Sequence, residues 1–499
     1  MEEDMAILPE VKKHYGRLKF FINGEWIESK SNNCFENTNP ATGDVIAEVP
    51  VATEAEVEAA INSAWNAFKK WSNMPFRDRA DYINRLRAKF DEHHEELSRI
   101  LSQDHGRGID DARGTIDRCI ENIESASGAM YSLYKGEHVE QLATGIDCYL
   151  MWEPVGVFLI LTPGNIPMHA WSSFVPYALA CGCPVIVAPS WQCPVASEAM
   201  FKIADEVGFP PGVLNLLHVG TNFELNSRII SDSRVAGVGF IGSTAVGREL
   251  FELCGRLGKR SSINGNGKNH IVVAPDGNLD AAANYLLRGC FGMTGQRCLG
   301  SDNVAVIGNI YDDLKDKFLQ AAKAMKVGFG LDETSEMGPL TTLSNKKKVE
   351  NFIEKGLNEG AKLILDGREL KVKGYENGYF LGPSIFEGVS PSMEIAKEES
   401  FGPVSNLIRA DSLEQVIEWI NTNTEFGHSA CLITESGKNA RKFIRECNVG
   451  NVGINAGIPQ PYAFFPLGSK RQSFFGVAKS RMDSVRMFLD QKTVTLRWV

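Results

Sequence analysis

Gly156-Val157-Phe158-Leu159-Ile160-Leu161 runs directly into Thr162-Pro163-Gly164-Asn165-Ile166-Pro167. An apolar run without alternation describes a strand buried on both faces, the pattern of a parallel sheet rather than of a half-exposed hairpin. The Pro- and Gly-bearing stretch after it is a loop, and the apolar residues up to Cys181 read as a helix. Outward from there the texture repeats: a strand at 185–188, a helix at 194–207, a strand at 213–217, a helix at 223–231, a strand at 237–241 and a helix from about Thr244. Such alternation implies an α/β, doubly wound domain. A second α/β run begins at 270–273 and continues through 303–307, 404–409 and 430–433. Upstream lie a hairpin turning on Asn23-Gly24, a helix at 53–71 capped by Thr53, and two long amphipathic helices at 77–103 and 108–134. The terminal residues 492–499 are strand-like with no hairpin mate, which points to pairing with another subunit.

At 499 residues the chain exceeds a single core and requires two or three domains. It carries 62 acidic against 52 basic residues, a net charge of -10, which offers nothing to nucleic acid. No apolar run reaches membrane-spanning length. The acidic start Met1-Glu2-Glu3-Asp4 argues against a secretory or transit peptide. The 11 cysteines are odd in number and scattered, as in a reduced, cytoplasmic protein. Cys181-Gly182-Cys183 lies in an apolar run and reads as a packed turn. His93-His94 sits in a charged helix with no third ligand, so no metal site is assigned.

Two stretches carry chemistry. Gly237-Val238-Gly239-Phe240-Ile241-Gly242 fits G-x-G-x-x-G letter for letter. Its glycines fall inside a strand pattern, however, and Lys259-Arg260 stands about 20 positions on, where a ribose-binding acid belongs. The turn is better placed at Gly242-Ser243-Thr244-Ala245-Val246-Gly247, where a helix N-terminus would face an anion such as a pyrophosphate. Phe291-Gly292-Met293-Thr294-Gly295-Gln296-Arg297-Cys298 presents a thiol in a Gly-punctuated approach between a helix and a strand. The thiolate is the reactive form, and Arg297 would favour ionisation or hold an anionic substrate.

The stretches 240–247, Gly295-Gln296-Arg297-Cys298 and Glu398-Glu399-Ser400-Phe401-Gly402-Pro403-Val404 resemble the three signature motifs of the aldehyde dehydrogenase superfamily, in its order and spacing. Asn39-Pro40-Ala41-Thr42-Gly43 and the terminal strand fit too, so the resemblance covers essentially the whole chain. It implies a Rossmann-type NAD-binding domain (1–137 and 155–263), an α/β catalytic domain (264–463) and a small β oligomerisation flap (138–154 and 482–499), in a homodimer or homotetramer. By the same resemblance Cys298 attacks an aldehyde carbon to give a thiohemiacetal. Asn165 and the Cys298 N–H receive the oxyanion. Thr162, Pro163, Pro189, Ser190, Gly242, Ser243 and Gly247 contact the cofactor, with Glu399 on the nicotinamide ribose and Phe401 packed beside the ring.

Hydrolytic members begin a Glu-Leu-Gly-Gly-Lys motif with the base that activates water. The matching stretch here is Asn264-Gly265-Asn266-Gly267-Lys268-Asn269-His270, and Asn264 at the general-base position has no carboxylate. A thiol such as coenzyme A is then the better acyl acceptor. This motif, Gly453-Ile454-Asn455, Ile458-Pro459-Gln460-Pro461 and Asp117-Arg118-Cys119-Ile120-Glu121 look like the CoA-acylating methylmalonate-semialdehyde and malonate-semialdehyde dehydrogenase branch. Arg118 and Arg297 match its two substrate arginines, whose forks suit a compact anion. The implied reaction oxidises a 3-oxoacid with NAD, loses CO2 from the Cys298 thioester and passes the acyl group to CoA.

Three departures stand against this pattern. Ala188-Pro189-Ser190-Trp191 replaces Lys-Pro-Ser-Glu, which removes both adenosine-ribose contacts, leaves Trp191 as a stacking platform and keeps NADP open beside NAD. Gly164 replaces an aromatic residue before Asn165, with His169 nearby, and is expected to open the substrate pocket. Gly265-Asn266 replaces the branch's usual pair, so a sulfonate- or phosphonate-bearing aldehyde is a second substrate class. A hydrolytic NAD(P)-dependent dehydrogenase and a catalytically silent protein of this fold are the competing readings.

Overall fold

The strand Val157–Thr162 is buried throughout and occupies the middle of an eight-stranded sheet in the computed structural model, which describes residues 7–133 and 135–498. Tyr134 and Val499, the ends of two expected elements, lie outside those residues. The sheet runs Glu25–Ile27, Phe20–Ile22, Leu214–Leu216, Val185–Pro189, Val157–Thr162, Val235–Ile241, Arg260–Asn264, Phe474–Gly476. Its five central strands are parallel, and the hairpin and Phe474–Gly476 close the two edges antiparallel. The chain steps outward from Val157–Thr162 through two strands, then returns to the other side of it with Val235–Ile241. That reversal is a topological switch point, and open α/β sheets bind ligands in the crevice beyond the strand ends there. Thr162 and Gly242 stand at that crevice.

A second sheet of seven strands runs Lys362–Leu365, Ser384–Glu387, Val404–Ala410, Asn303–Ile307, His270–Val273, Ser429–Ile433, Asn451–Ile454, parallel except at its first strand. Cys298 lies in the connection between the helix Leu279–Phe291 and the strand Asn303–Ile307. The segment 464–481 ties the two units: Lys470–Arg471 pairs with Phe426–Gly427, and Phe474–Gly476 then joins the first sheet.

Three elements differ from the sequence reading. The expected helix at 77–103 is two helices, Phe76–Glu92 and His94–His105, because His93 leaves helical geometry (φ -99°, ψ 17°) and turns its ring to Glu96 and Glu206. The apolar helix after Pro167 is also two, Pro167–Ser172 and Val175–Ala180, because Pro176 has no N–H to continue the first. The terminal strand Leu489–Arg497 has a mate within the chain: it pairs antiparallel with Ile146–Pro154 over nine residue pairs, beside His138–Ala143. A sequence-distant partner is invisible to hairpin signals, which is why the strand read as unpaired. Among the described residues no helix is long and apolar enough to cross a membrane.

Candidate active site

The approach to Cys298 is held in uncommon backbone geometry. Met293, Thr294 and Gly295 have φ of 52°, 56° and 68°. For a β-branched residue such as Thr294 this region is sterically unfavourable, and such strain persists only where surrounding contacts over-determine it. Those contacts are present. The Met293 N–H donates to Asp111 Oδ2 (3.1 Å) and Thr294 Oγ1 donates to the Gly338 carbonyl (2.9 Å). Gln296 Oε1 accepts from the backbone and hydroxyl of Thr341. Gly295 lies so close to the Glu399–Pro403 loop that a Cβ there would sit 2.0 Å from the Gly402 carbonyl oxygen, so glycine is required. Beyond the thiol, Asn269 Nδ2 donates to the Cys298 carbonyl (2.8 Å) and the Gly300 carbonyl (2.6 Å).

Cys298 lines a cavity of about 450 Å³. Burial, and then the Glu399 carboxylate, push its thiol up to about 11; Arg481 and the backbone N–H groups of Leu299 and Cys298 itself oppose that rise. Asn165, in the loop after Val157–Thr162, donates its side-chain N–H to the Gln296 carbonyl (2.9 Å), two residues before the thiol. An amide has a second N–H, which leaves a donor for an oxyanion. Arg107, fully buried, grips the Asn165 carbonyl and donates to Thr115 Oγ1 (2.8 Å), so it orients this loop. The opening expected from Gly164 is absent, because Gln192 fills that space: a Cβ on Gly164 would lie 2.3 Å from Gln192 Oε1.

Both sequence-selected arginines line the Cys298 cavity, and each is already paired. Arg297 forms an ion pair with Asp111. Arg118 bonds Glu121 (2.6 Å) and lies 4.4 Å from the Tyr462 ring centroid. Arg481, which lines the same cavity, is a cation that opposes the rise of the thiol. Arg107, Asp111, Asn269 and Arg481 were all missed in the sequence; Asn269 stood inside a quoted motif, and the other three had no local signal.

At the switch point the Ser243 side chain caps the helix Thr244–Leu257 by accepting from the Val246 N–H. Gly237 and Gly239 lie inside the strand Val235–Ile241, as the pattern indicated. Gly247 is demanded by packing, since a Cβ would lie 2.7 Å from Ile263 Cγ2. Thr162 and Pro189 are register partners, and Ser190 N–H donates to the Thr162 carbonyl (2.9 Å). The Thr162 hydroxyl is buried and makes no hydrogen bond among the described residues. Asn266 joins the turn to the catalytic side: its Oδ1 accepts from the Thr244 N–H (2.6 Å) and its Nδ2 donates to Glu399. Glu399 also accepts from the Gly267 N–H (3.0 Å), and burial raises its carboxyl above the usual range. Phe401 (φ 50°) and Glu399 border a small cavity shared with Gly295 and Arg297. Trp191 borders a separate cavity with Phe35, Val51 and Val219.

Asn264 ends the strand Arg260–Asn264, is 1% exposed and does not line the Cys298 cavity. Its Oδ1 accepts from Ser469 Oγ (3.5 Å), whose oxygen also meets His428 Nδ1 (2.5 Å). Burial lowers His428 to about 4.

A buried-strand nucleotide fold joined to a cysteine-bearing α/β unit defines a cysteine-dependent dehydrogenase. The model of the aldehyde dehydrogenase family matches residues 26–494, and the chain belongs to that family. It is 36% identical over 482 residues to malonate-semialdehyde dehydrogenase 2 of Geobacillus kaustophilus, covering 96% of this chain and 99% of the relative. Its structure is similar to a crystal structure of methylmalonate-semialdehyde dehydrogenase from Oceanimonas doudoroffii, with TM-score 0.94, 34% identity, and 97% and 99% of the two chains covered. It is also similar to an NAD+ complex of a Bacillus cereus aldehyde dehydrogenase, with TM-score 0.93, 30% identity, and 99% and 100% covered.

Proposed function

We propose that this enzyme oxidises a small anionic aldehyde of the malonate-semialdehyde type with NAD and passes the acyl group to coenzyme A. The observation that carries the acyl-transfer step is Asn264: where a water-activating carboxylate would stand there is a buried amide that does not line the thiol's cavity. The aldehyde class is supported by the arginines around Cys298 and by the names of the relatives. Cys298 adds to the aldehyde carbon while Asn165 and the Cys298 N–H face the oxygen that becomes negative. NAD, when bound, takes up the hydride. Thr162, Ser190, Ser243, the Gly242–Gly247 turn and Glu399 are the residues that would hold it, and the orphaned Thr162 hydroxyl supports that fit. Trp191 offers a ring where the usual ribose-binding acid is missing. The resulting Cys298 thioester persists in this reading because position 264 offers an amide in place of a water-activating carboxylate. The malonyl-type acyl group, whose carboxylate is β to the thioester carbonyl, then loses that carboxylate as CO2, the electron pair passing to the thioester enolate and on to a proton. CoA thiolate displaces Cys298 and restores the thiol. Incubation with NAD and malonate semialdehyde, with and without CoA, tests this: acyl-CoA should form and turnover should depend on CoA. Equal formation of free acid without CoA would overturn the acyl-transfer reading.

A further inference from the structure

Four arginines line the cavity that holds the Cys298 thiol, and they differ in what already neutralises them. Arg288 is at the exposed rim. Arg297 is paired with Asp111, and Arg118 with Glu121. Arg481 is 2% exposed and forms no ion pair with a carboxylate among the described residues; Glu121, bonded to Arg118, acts on it only through its charge. Its Nη1 donates to the carbonyls of Pro461 and Tyr462, and its Nη2 meets His169 Nε2 at 3.0 Å. A guanidinium only donates, so His169 Nε2 is the acceptor and the imidazole is neutral, in line with the fall that burial and Arg481 impose on it. His169 therefore offers no compensating charge. An isolated buried cation is unfavourable unless a counter-charge meets it. Arg481 also sits in left-handed backbone (φ 66°), held by its N–H donating to the Ser173 carbonyl (2.9 Å), so the fold sustains strain to place it.

We propose that Arg481 is the principal specificity-determining anchor for the distal anion of the substrate, with Arg118 beside it in a supporting role and Arg297 committed to holding Asp111 and the Cys298 loop. This rests on the anionic-aldehyde reading above and deepens it. The geometry supplies the reason. A carboxylate entering the cavity completes a missing ion pair at Arg481, whereas at Arg297 or Arg118 it must compete with an existing one. Arg481 and Arg118 also hold the same loop, since Glu121, the partner of Arg118, accepts from the Ala463 N–H (2.8 Å) next to the Pro461 and Tyr462 carbonyls. Arg481 thus holds this loop while lining the cavity of the thiol.

The test compares wild type with Arg481→Met and Arg481→Lys on two aldehydes of similar length, malonate semialdehyde and propanal. Loss of the fork should lower kcat/KM for the anionic aldehyde by about 10²-fold, mainly through KM, and far less for propanal. Lys, which keeps the charge and loses the fork, should fall between. A cofactor-free measurement runs in parallel: the rate of Cys298 alkylation by iodoacetate divided by that by iodoacetamide, read by mass on the Cys298 peptide. Arg481→Met should lower that ratio, and Arg297→Met should lower it less. If both aldehydes fall together in both variants, or the alkylation ratio is unchanged, Arg481 only clamps the 461–462 carbonyls and the proposal is wrong. If wild type shows no preference for the anionic aldehyde while the alkylation ratio still depends on Arg481, the substrate reading fails and the anion anchor stands.

Discussion

Around Cys298 the backbone is bent left-handed at three successive residues and held by Asp111, Gly338, Thr341 and the Gly402 contact. Across the cleft, at the end of the first sheet, the Gly242–Gly247 turn is a strand end followed by a side-chain-capped helix, with a buried hydroxyl on Thr162 still unpartnered. The first region is strained and held by many contacts, with Gln296 Nε2 and Arg297 Nε the buried atoms there that make no hydrogen bond among the described residues. The second is relaxed and incomplete. The contrast follows from what each must do. A nucleophile and its oxyanion donors act only if their positions are set before substrate arrives, so strain there is sustained by neighbouring contacts. A shelf for a mobile ligand needs unsatisfied groups and little else.

Substitutions should expose that difference, in descending order of effect. Cys298→Ala should lower dehydrogenase activity by at least about 10³-fold, since the nucleophile is lost; steady-state formation of reduced cofactor measures it, and activity near wild type would favour a silent protein of this fold. Asn165→Ala should lower kcat by about 10² or more with little change in fold, which circular dichroism would verify. Gly295→Ala should destabilise by at least 1–3 kcal/mol, roughly, from the left-handed backbone alone, with the Gly402 clash adding to it. An equivalent change at Gly255, inside the helix Thr244–Leu257 where a Cβ would meet nothing within 4 Å, should hold or slightly raise Tm, since Ala favours the helix over Gly. On the shelf side the effects are smaller. Trp191→Ala should weaken NAD binding by about 1 kcal/mol, as expected for loss of one aromatic contact; calorimetric titration reads it, and unchanged affinity would remove the stacking role.

The smallest effect couples the two regions. The charge of the Glu399 carboxylate, which bonds Asn266 and the Gly267 N–H, raises the pKa of the thiol. In Glu399→Gln the thiol pKa falls, more thiolate is present at a given pH, and the alkaline rise in Cys298 alkylation moves to lower pH. A profile that stays in place would show that the carboxylate does not act on the thiol.

Much of the scaffold could be read from the chain because its signals are local. The strands His270–Val273 and Asn303–Ile307 and the helix Phe223–Ser231 fall where the apolar runs and the breaks between them put them. Both helix breaks were missed because a short kink barely alters an apolar stripe. Cys298, Asn165, Glu399 and the turn at Gly242-Ser243, the groups proposed above for catalysis and cofactor binding, were picked out of the chain as motifs. Gly164 was misread, because the side chain that fills its space, Gln192, comes from another loop.

Residue order alone thus settles the alternating α/β scaffold, the thiol at Cys298 and the missing carboxylate at Asn264, since each is a matter of pattern or side-chain identity. Folding settles which charges stand alone. Arg297 is adjacent to Cys298 in the chain, yet it is neutralised by Asp111, 186 positions away, while the arginine without an ion pair in the thiol's cavity comes from position 481. Coulombic attraction depends on separation in space and on the water excluded between the partners, and neither is written in the order of residues.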